Sequence, residues 1–346
     1  MAYTTIDKPS DYFNTKLYSG NGGTQSISSV GFQPDWTWLK QRNGTSNHRC
    51  YDAVRGATKQ IYPNLTNAEN TDTNGLTSFD SDGFSLGNES GHNGSGQTYV
   101  AWNWLANGAG SSNTDGSITS TVSANTTSGF SIVKWVASGS NPTVGHGLSS
   151  APSMIILKTT SVVKNFVVGH NSLGWGKNLW LNGNDAVNTS IDYWNNTAPT
   201  STVFSLGNGG DVNDTGETII AYCFTEKTGY SKFGSFEGNN SADGSFVYLG
   251  FKPSLIITKN IDTGGANYDW LMFDNKRNTG NVNDDFLQPN NNGAETTSGR
   301  NEVDFLSNGF KCRSSYGDLN SNDTYIYMAF AEAPLVGSNN VPCTAR

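Results

Sequence analysis

Charge is scarce in this chain. Asp, Glu, Lys and Arg together make up 14% of its 346 residues, and the balance of 21 basic against 29 acidic groups leaves a net charge of −8. No run of even four basic residues occurs, so a nucleic-acid partner is not expected, because phosphate binding needs clustered Lys and Arg. No apolar stretch reaches the roughly 18 residues that a membrane-spanning helix requires, so membrane insertion is not expected either. The opening residues Met1-Ala2-Tyr3-Thr4-Thr5-Ile6-Asp7-Lys8-Pro9 have neither the basic nor the apolar region of a secretory signal.

Cysteine and histidine are equally sparse. Cys50, Cys223, Cys312 and Cys343 are scattered without metal-ligand spacing, which reads as free thiols in a chain folded in a reducing cytoplasm. His48, His92, His146 and His170 form no His-X-X-X-His pair, and no Gly-X-Ser-X-Gly elbow is present. Those absences point away from an enzyme and imply no cofactor and no metal. What the chain does have is 40 glycines, abundant Asn, Ser and Thr, and 12% aromatics. A disordered chain of such low charge would not carry so many rings. Short strands joined by tight turns would.

The organising feature is an internal repeat of about a hundred residues, present three times. Gly31-Phe32-Gln33-Pro34-Asp35-Trp36-Thr37-Trp38-Leu39-Lys40 aligns with Ala151-Pro152-Ser153-Met154-Ile155-Ile156-Leu157-Lys158 and with Gly250-Phe251-Lys252-Pro253-Ser254-Leu255-Ile256-Ile257-Thr258-Lys259. Proline and lysine are six apart each time, and both faces of the intervening strand are largely apolar, as in a strand covered on both sides. A second block, Phe84-Ser85-Leu86-Gly87, Phe204-Ser205-Leu206-Gly207 and Phe310-Lys311-Cys312-Arg313, is followed 17, 17 and 19 residues later by Ala101, Ala221 and Ala329. This pattern predicts an all-β protein of three tandem small antiparallel β-sandwich modules of jelly-roll or lectin-like type, with a β-propeller as the alternative. The expected boundaries are module 1 over residues 1–106, a Gly/Ser/Asn/Thr-rich linker over 107–127, module 2 over 128–227, module 3 over 228–334 and a C-terminal tail over 335–346.

Features shared by the copies are assigned to the scaffold, and features of one copy to a partner. Lys40, Lys158 and Lys259 fall in the first group, as strand-end charges paired locally. Asp52 and Arg55 match Asp274 and Arg277, whereas the second copy carries His170 and Leu173 in those places. Asp80-Ser81-Asp82-Gly83 resembles the start of a calcium loop, but Gly91 stands where a bidentate Glu would be needed, so turn chemistry is the better account. The second copy also concentrates Trp175, Trp180 and Trp194 among Asn and Gly. With His170 they are the ligand-binding candidates, as a platform for stacking sugar rings. The competing account is that these tryptophans pack in the core or between copies.

The Pro–Lys block, the stretches Asp52–Lys59 and Leu76–Phe84, and the ending Tyr325-Ile326-Tyr327-Met328-Ala329-Phe330-Ala331-Glu332-Ala333-Pro334 resemble a repeated domain common in structural proteins of marine bacteriophages. The resemblance implies a virion component, assembled in the host cytoplasm, with a lectin-like sandwich fold. It carries over no binding or catalytic residues. The function expected from it is a tail-fibre or adsorption protein attaching to host-surface glycan, with a ligand-free capsid decoration or connector protein as the alternative. Partners are then other virion proteins, with homo-oligomers left open.

Overall fold

The computed structural model describes residues 2–297, 299–300 and 302–343. Residue 1 of the first module, residues 298 and 301 of the third and residues 344–346 of the tail lie outside the described residues. The chain is all-β, with antiparallel pairing throughout its sheets. Successive side chains of a strand point to opposite faces, and the central strands are buried at consecutive positions, so each sheet has two faces to cover.

Three large sheets carry the same strand order. In the first, Phe13–Ser19, Thr98–Trp104, Trp36–Gln41 and Arg49–Asp52 lie side by side. The third repeats this with Ser231–Glu237, Thr324–Pro334, Phe251–Asn260 and Leu271–Asp274. The second contains the same four, Phe130–Val136, Thr218–Phe224, Met154–Thr159 and Phe166–His170, extended at both edges. On the outer face of each large sheet sits a smaller one: Gln25–Ile27, Gly83–Leu86 and Leu76–Asp80 in the first copy, Thr143–Gly145 with Val203–Ser205 in the second, and Phe246–Tyr248, Gly309–Cys312 and Val303–Leu306 in the third.

The central strand of each sheet shows how the faces are used. Val100, Trp102 and Trp104, then Ile220, Tyr222 and Phe224, then Ile326, Met328 and Phe330 all enter one common hydrophobic cluster. The residues between them, Ala101, Ile219 with Ala221 and Cys223, and Tyr327 with Ala329 and Ala331, enter three separate outer clusters. The expectation that each copy closes its own core is therefore corrected. Each closes an outer core against its small sheet and gives its other face to a centre shared by all three. A propeller is excluded by that centre, which side chains from all three sheets fill.

Register also corrects the repeat spacing. Ala101 lies opposite Leu39, Ala221 opposite Leu157, and Tyr327 opposite Thr258. Tyr327, not Ala329, is the third equivalent, 17 residues beyond Phe310. A shift of two residues preserves the face of a strand, which is why the alanine match looked right.

The expected linker is not one. Within 107–127, Ser111–Asn113 pairs with Ser120–Asn125, which in turn pairs with Phe130–Val136, forming the edge of the second sheet. Ser120, Val122 and Ser123 are buried there. Small hydroxyl side chains hide their strand character from a reading based on apolar periodicity.

Each copy is also pinned by one buried asparagine. The Nδ2 groups of Asn93, Asn213 and Asn320 donate to the carbonyls of Gly87 at 2.7 Å, Gly207 at 2.9 Å and Ser314 at 2.9 Å. Their Oδ1 atoms accept from the amides of Asn21, Ser138 and Asn239. The sequence shows these residues only as members of polar turns. Gly83 and Gly309 make a matching close approach: a Cβ there would meet the carbonyl oxygens of Ile27 at 1.9 Å and Val247 at 2.0 Å.

Candidate functional site

The distinctive surfaces of this molecule are the seams where one copy meets the next. After its fourth strand each copy sends a loop onto its neighbour, eight residues beyond the neighbour's strand-entry proline. The Glu69 amide donates to Thr160 O at 2.7 Å, the Val187 amide to Ile261 O at 2.9 Å, and the Glu295 amide to Arg42 O at 2.7 Å. The first copy thus binds the second, the second the third, and the third the first. Head-to-tail contacts that close in this way form a ring.

A buried polar contact follows the same direction at each seam. The Tyr222 hydroxyl donates to Asp52 Oδ2 at 2.8 Å, and Trp102 Nε1 donates to Asp274 Oδ2 at 3.1 Å. At the remaining seam His170 takes the aspartate's place, opposite Met154 as Asp52 is opposite Trp36. Its Nδ1 accepts from the Ser172 amide at 3.1 Å, so Nε2 carries the proton and donates to Tyr327 O at 3.2 Å. Burial pulls this imidazole down to about 4, leaving the ring neutral.

The Asp–Arg pairs extend into short chains of charge. Arg55 bridges Asp52 and Glu69. Arg277 bridges Asp274 and Glu295, lies 5.6 Å from the Trp102 ring centre, and shares Glu295 with Arg42 of the first copy at 2.7 Å. In the second copy Leu173 and Val187 stand where the arginine and glutamate stand elsewhere, and both pack against the common core. The sequence could have shown this, since Glu69 and Val187 each lie 17 residues beyond Asp52 and His170. A buried ion chain and an apolar pair thus serve equivalent seams within one molecule, as expected when desolvation nearly cancels the Coulomb gain.

Lys40, Lys158 and Lys259 occupy the other side of the seams. All three are buried, and their ammonium groups donate to main-chain carbonyls: Gln41 and Gly44, Thr66 and Lys164, and Asn260. The Lys158 bond to Thr66 O crosses a seam at 3.0 Å. Burial pulls each ammonium down to about 8. An unfolded lysine titrates near 10.4, so above pH 8 these lysines contribute a rise of stability with pH. The buried thiols of Cys50, Cys223 and Cys312, pushed up from the roughly 8.5 of an unfolded cysteine, oppose that rise. Between pH 8 and 9.5 the denaturation midpoint of the wild type minus that of Lys259→Met, in which the thiol contributions cancel, is expected to rise with pH. Above about pH 10, Tyr51 and Tyr222, pushed up by burial, act in the opposite sense. A difference between the two that stays constant from pH 8 to 9.5 would contradict the assignment.

Two seams open outward as polar clefts. The one between the first and second copies, about 430 Å³, is lined by Lys59, Glu69, Lys134, Thr160 and Thr218. The equivalent cleft between the third and first, about 340 Å³, is lined by Arg42, Asn43, Thr98, Glu295 and Thr297. Thr98 and Thr218 are equivalent, each 14 residues after the Phe of the second block.

The expected ligand residues lie elsewhere, and the structure does not assemble them into a platform. Trp194 is fully buried and meets Trp175, itself only 9% exposed, edge to face at 5.4 Å. Both belong to the second copy's outer core with Leu157, Val167 and Phe204. Trp180 is half-buried, and its carbonyl accepts from Trp270 Nε1 of the third copy at 3.0 Å. His170 is spent at its seam. These tryptophans looked exposed because their aliphatic neighbours are distant in sequence. The turn at Asp82 is accounted for, since its carboxylate accepts the amides of Ser29 and Gly31. Cys50, Cys223 and Cys312 are buried free thiols and Cys343 is exposed. Burial pushes the Cys312 thiol up to about 12, holding it protonated.

The fold defines an all-β protein of several separate antiparallel sheets arranged around one centre. The chain belongs to the family described as Domain of unknown function (DUF7483), which matches residues 8–334. Comparison with curated proteins and with solved structures gave no match.

Proposed function

We propose that this chain is a structural protein of a bacteriophage virion, a decoration or connector component that presents a three-sided body to a symmetric partner. One observation carries the reading: a single chain closes a ring of three equivalent sheets through repeated seam contacts. Such a body offers one surface at three related positions, which suits a three-fold or trimeric docking site. The phage context comes from the sequence resemblance, and the three-sided geometry supports the decoration or connector role among those that context offers.

The adsorption reading loses its tryptophan platform but keeps one favourable feature. A cleft of about 460 Å³ near the end of the third copy is lined by Asn267, Tyr268, Arg300, Tyr316 and Asp318, with Tyr316 half exposed and one face of its ring covered by the Arg300 guanidinium at 3.7 Å. The remaining ring face, beside amide and carboxylate groups, suits a sugar. A density map of the intact particle separates the two. Density on the head or at a connector, centred on a three-fold axis or a trimeric neighbour, is the expected result. Density at a fibre tip, with host glycan captured and lost on Tyr316→Ala, would replace the proposal with adsorption.

A further inference from the structure

We infer that the first copy contains a binding site for one divalent transition-metal ion, of the zinc type, formed by Asp72, Glu89 and His92. One ligand atom from each of the three lies within 4.8 Å of the others. His92 is 1% exposed, and His92 Nδ1 is 2.9 Å from Glu89 Oε2. Despite that proximity neither ring nitrogen makes a hydrogen bond. A buried imidazole that faces a carboxylate without the direction of a hydrogen bond is an unmet polar group, and the geometry suits two ligands converging on a common point.

The repeat supplies the independent argument. The asparagine pins fix the alignment, so the residue before each is equivalent: His92, Val212 and Leu319. All three are fully or almost fully buried. The scaffold position accepts an aliphatic side chain twice, so folding does not call for a histidine. Glu89 corresponds in the same way to Gly209 and Tyr316, which offer no carboxylate. The three-ligand set is therefore a feature of one copy.

The surroundings are compatible with a cation. Arg49 approaches Glu89 through Oε1 at 3.5 Å, while Oε2, on the His92 side, accepts the Gly91 amide at 2.7 Å and keeps a second lone pair. Asp72 is held by the Asn74 amide on Oδ1, with Gln60 3.4 Å from Oδ2. With His92 neutral, the two carboxylates and Arg49 sum to −1, which a divalent ion reverses. One nitrogen and two oxygens, with water in the remaining position, suit zinc or a neighbouring first-row ion better than calcium, which takes oxygen ligands alone. Zinc bonds of about 2.1 Å keep tetrahedral ligand atoms roughly 3.4 Å apart. The set must contract slightly, and both carboxylates are partly exposed and free to adjust.

The test is calorimetric titration of the metal-stripped full-length chain with zinc chloride, repeated with calcium chloride and in a Cys343→Ser background, since Cys343 is exposed. One zinc per chain in both backgrounds is expected, with a preference over calcium of at least about tenfold and a matching visible absorption band with Co²⁺. Asp72→Asn, which keeps the turn, and His92→Val, which installs the second copy's residue, should each weaken binding at least about tenfold. The Asn variant keeps the question open to a negative answer even if the Val variant fails to fold. Absence of stoichiometric zinc binding, or binding unchanged in Asp72→Asn, would overturn the inference.

Discussion

Replacing Arg277 by alanine is expected to lower the unfolding free energy by about 3–5 kcal/mol. Its guanidinium is buried at the seam between the third and first copies, where it meets Asp274, Glu295, the Met272 carbonyl at 2.7 Å and the Trp102 ring. Removing it leaves Asp274, which is fully buried, with an uncompensated charge, and that is the costly half of breaking a buried pair. Arg55→Ala should cost less, because Glu69 at the equivalent place is 22% exposed and water can reach it.

The second copy suggests the compensating change. Asp274→His, Arg277→Leu and Glu295→Val together reproduce His170, Leu173 and Val187. This triple replacement should recover at least half of the single-variant loss, since charge burial disappears with the charges. Trp102 Nε1 then lacks its aspartate acceptor, so full recovery is not expected. Arg42, 22% exposed, can be solvated once Glu295 is gone. Urea denaturation of the wild type and the variants at pH 7 measures both effects. A triple variant as unstable as Arg277→Ala would show that the ion chain is worth more than its apolar replacement.

The features legible in the sequence were those written in each copy separately. The proline–lysine strand, the Phe block and the alternation of the last strand appear three times, and repetition made them stand out against a background of Asn, Gly, Ser and Thr. What could not be read was the relation between copies. Nothing in Trp36 or Trp102 alone says that one face of the sheet turns toward two other sheets. Apolar residues on both faces were nonetheless visible, and a shared centre is one of the ways to cover both. The tryptophans at 175 and 194 were read by their sequence neighbours, while their spatial neighbours Leu157 and Phe204 come from other strands. The broken Asp–Arg pair at His170 and Leu173 was seen as a possible partner surface, but both residues are turned inward to the next copy and the core. The proposed metal site also falls on copy-specific residues, Glu89 and the buried His92, where the sequence offers no recognisable ligand spacing because the three residues come from two separate turns.

Trp36→Ala is expected to cost about 3–5 kcal/mol and to weaken all three copies at once. The Trp36 ring stacks at 4.3 Å on Trp104 of its own copy and at 4.3 Å on Tyr222 of the second, with Phe130 and Phe224 at about 6 Å. Phe224 in turn meets Phe233 and Phe330 of the third copy, and Phe13 of the first stacks on Phe330 at 5.1 Å. A cavity at Trp36 therefore removes contacts from a continuous set of rings that no single copy owns. Independent modules would respond with two transitions, one shifted and one unchanged. A shared centre predicts one transition, shifted as a whole, with tryptophan fluorescence and far-ultraviolet circular dichroism coinciding along the urea axis. For the same reason the segment 1–106 alone should not fold, because Phe13, Trp36, Trp38, Trp102 and Trp104, all buried in the whole chain, would form an exposed apolar face larger than a soluble monomer carries. A cooperative transition from that fragment, or a biphasic one from Trp36→Ala, would contradict the shared centre.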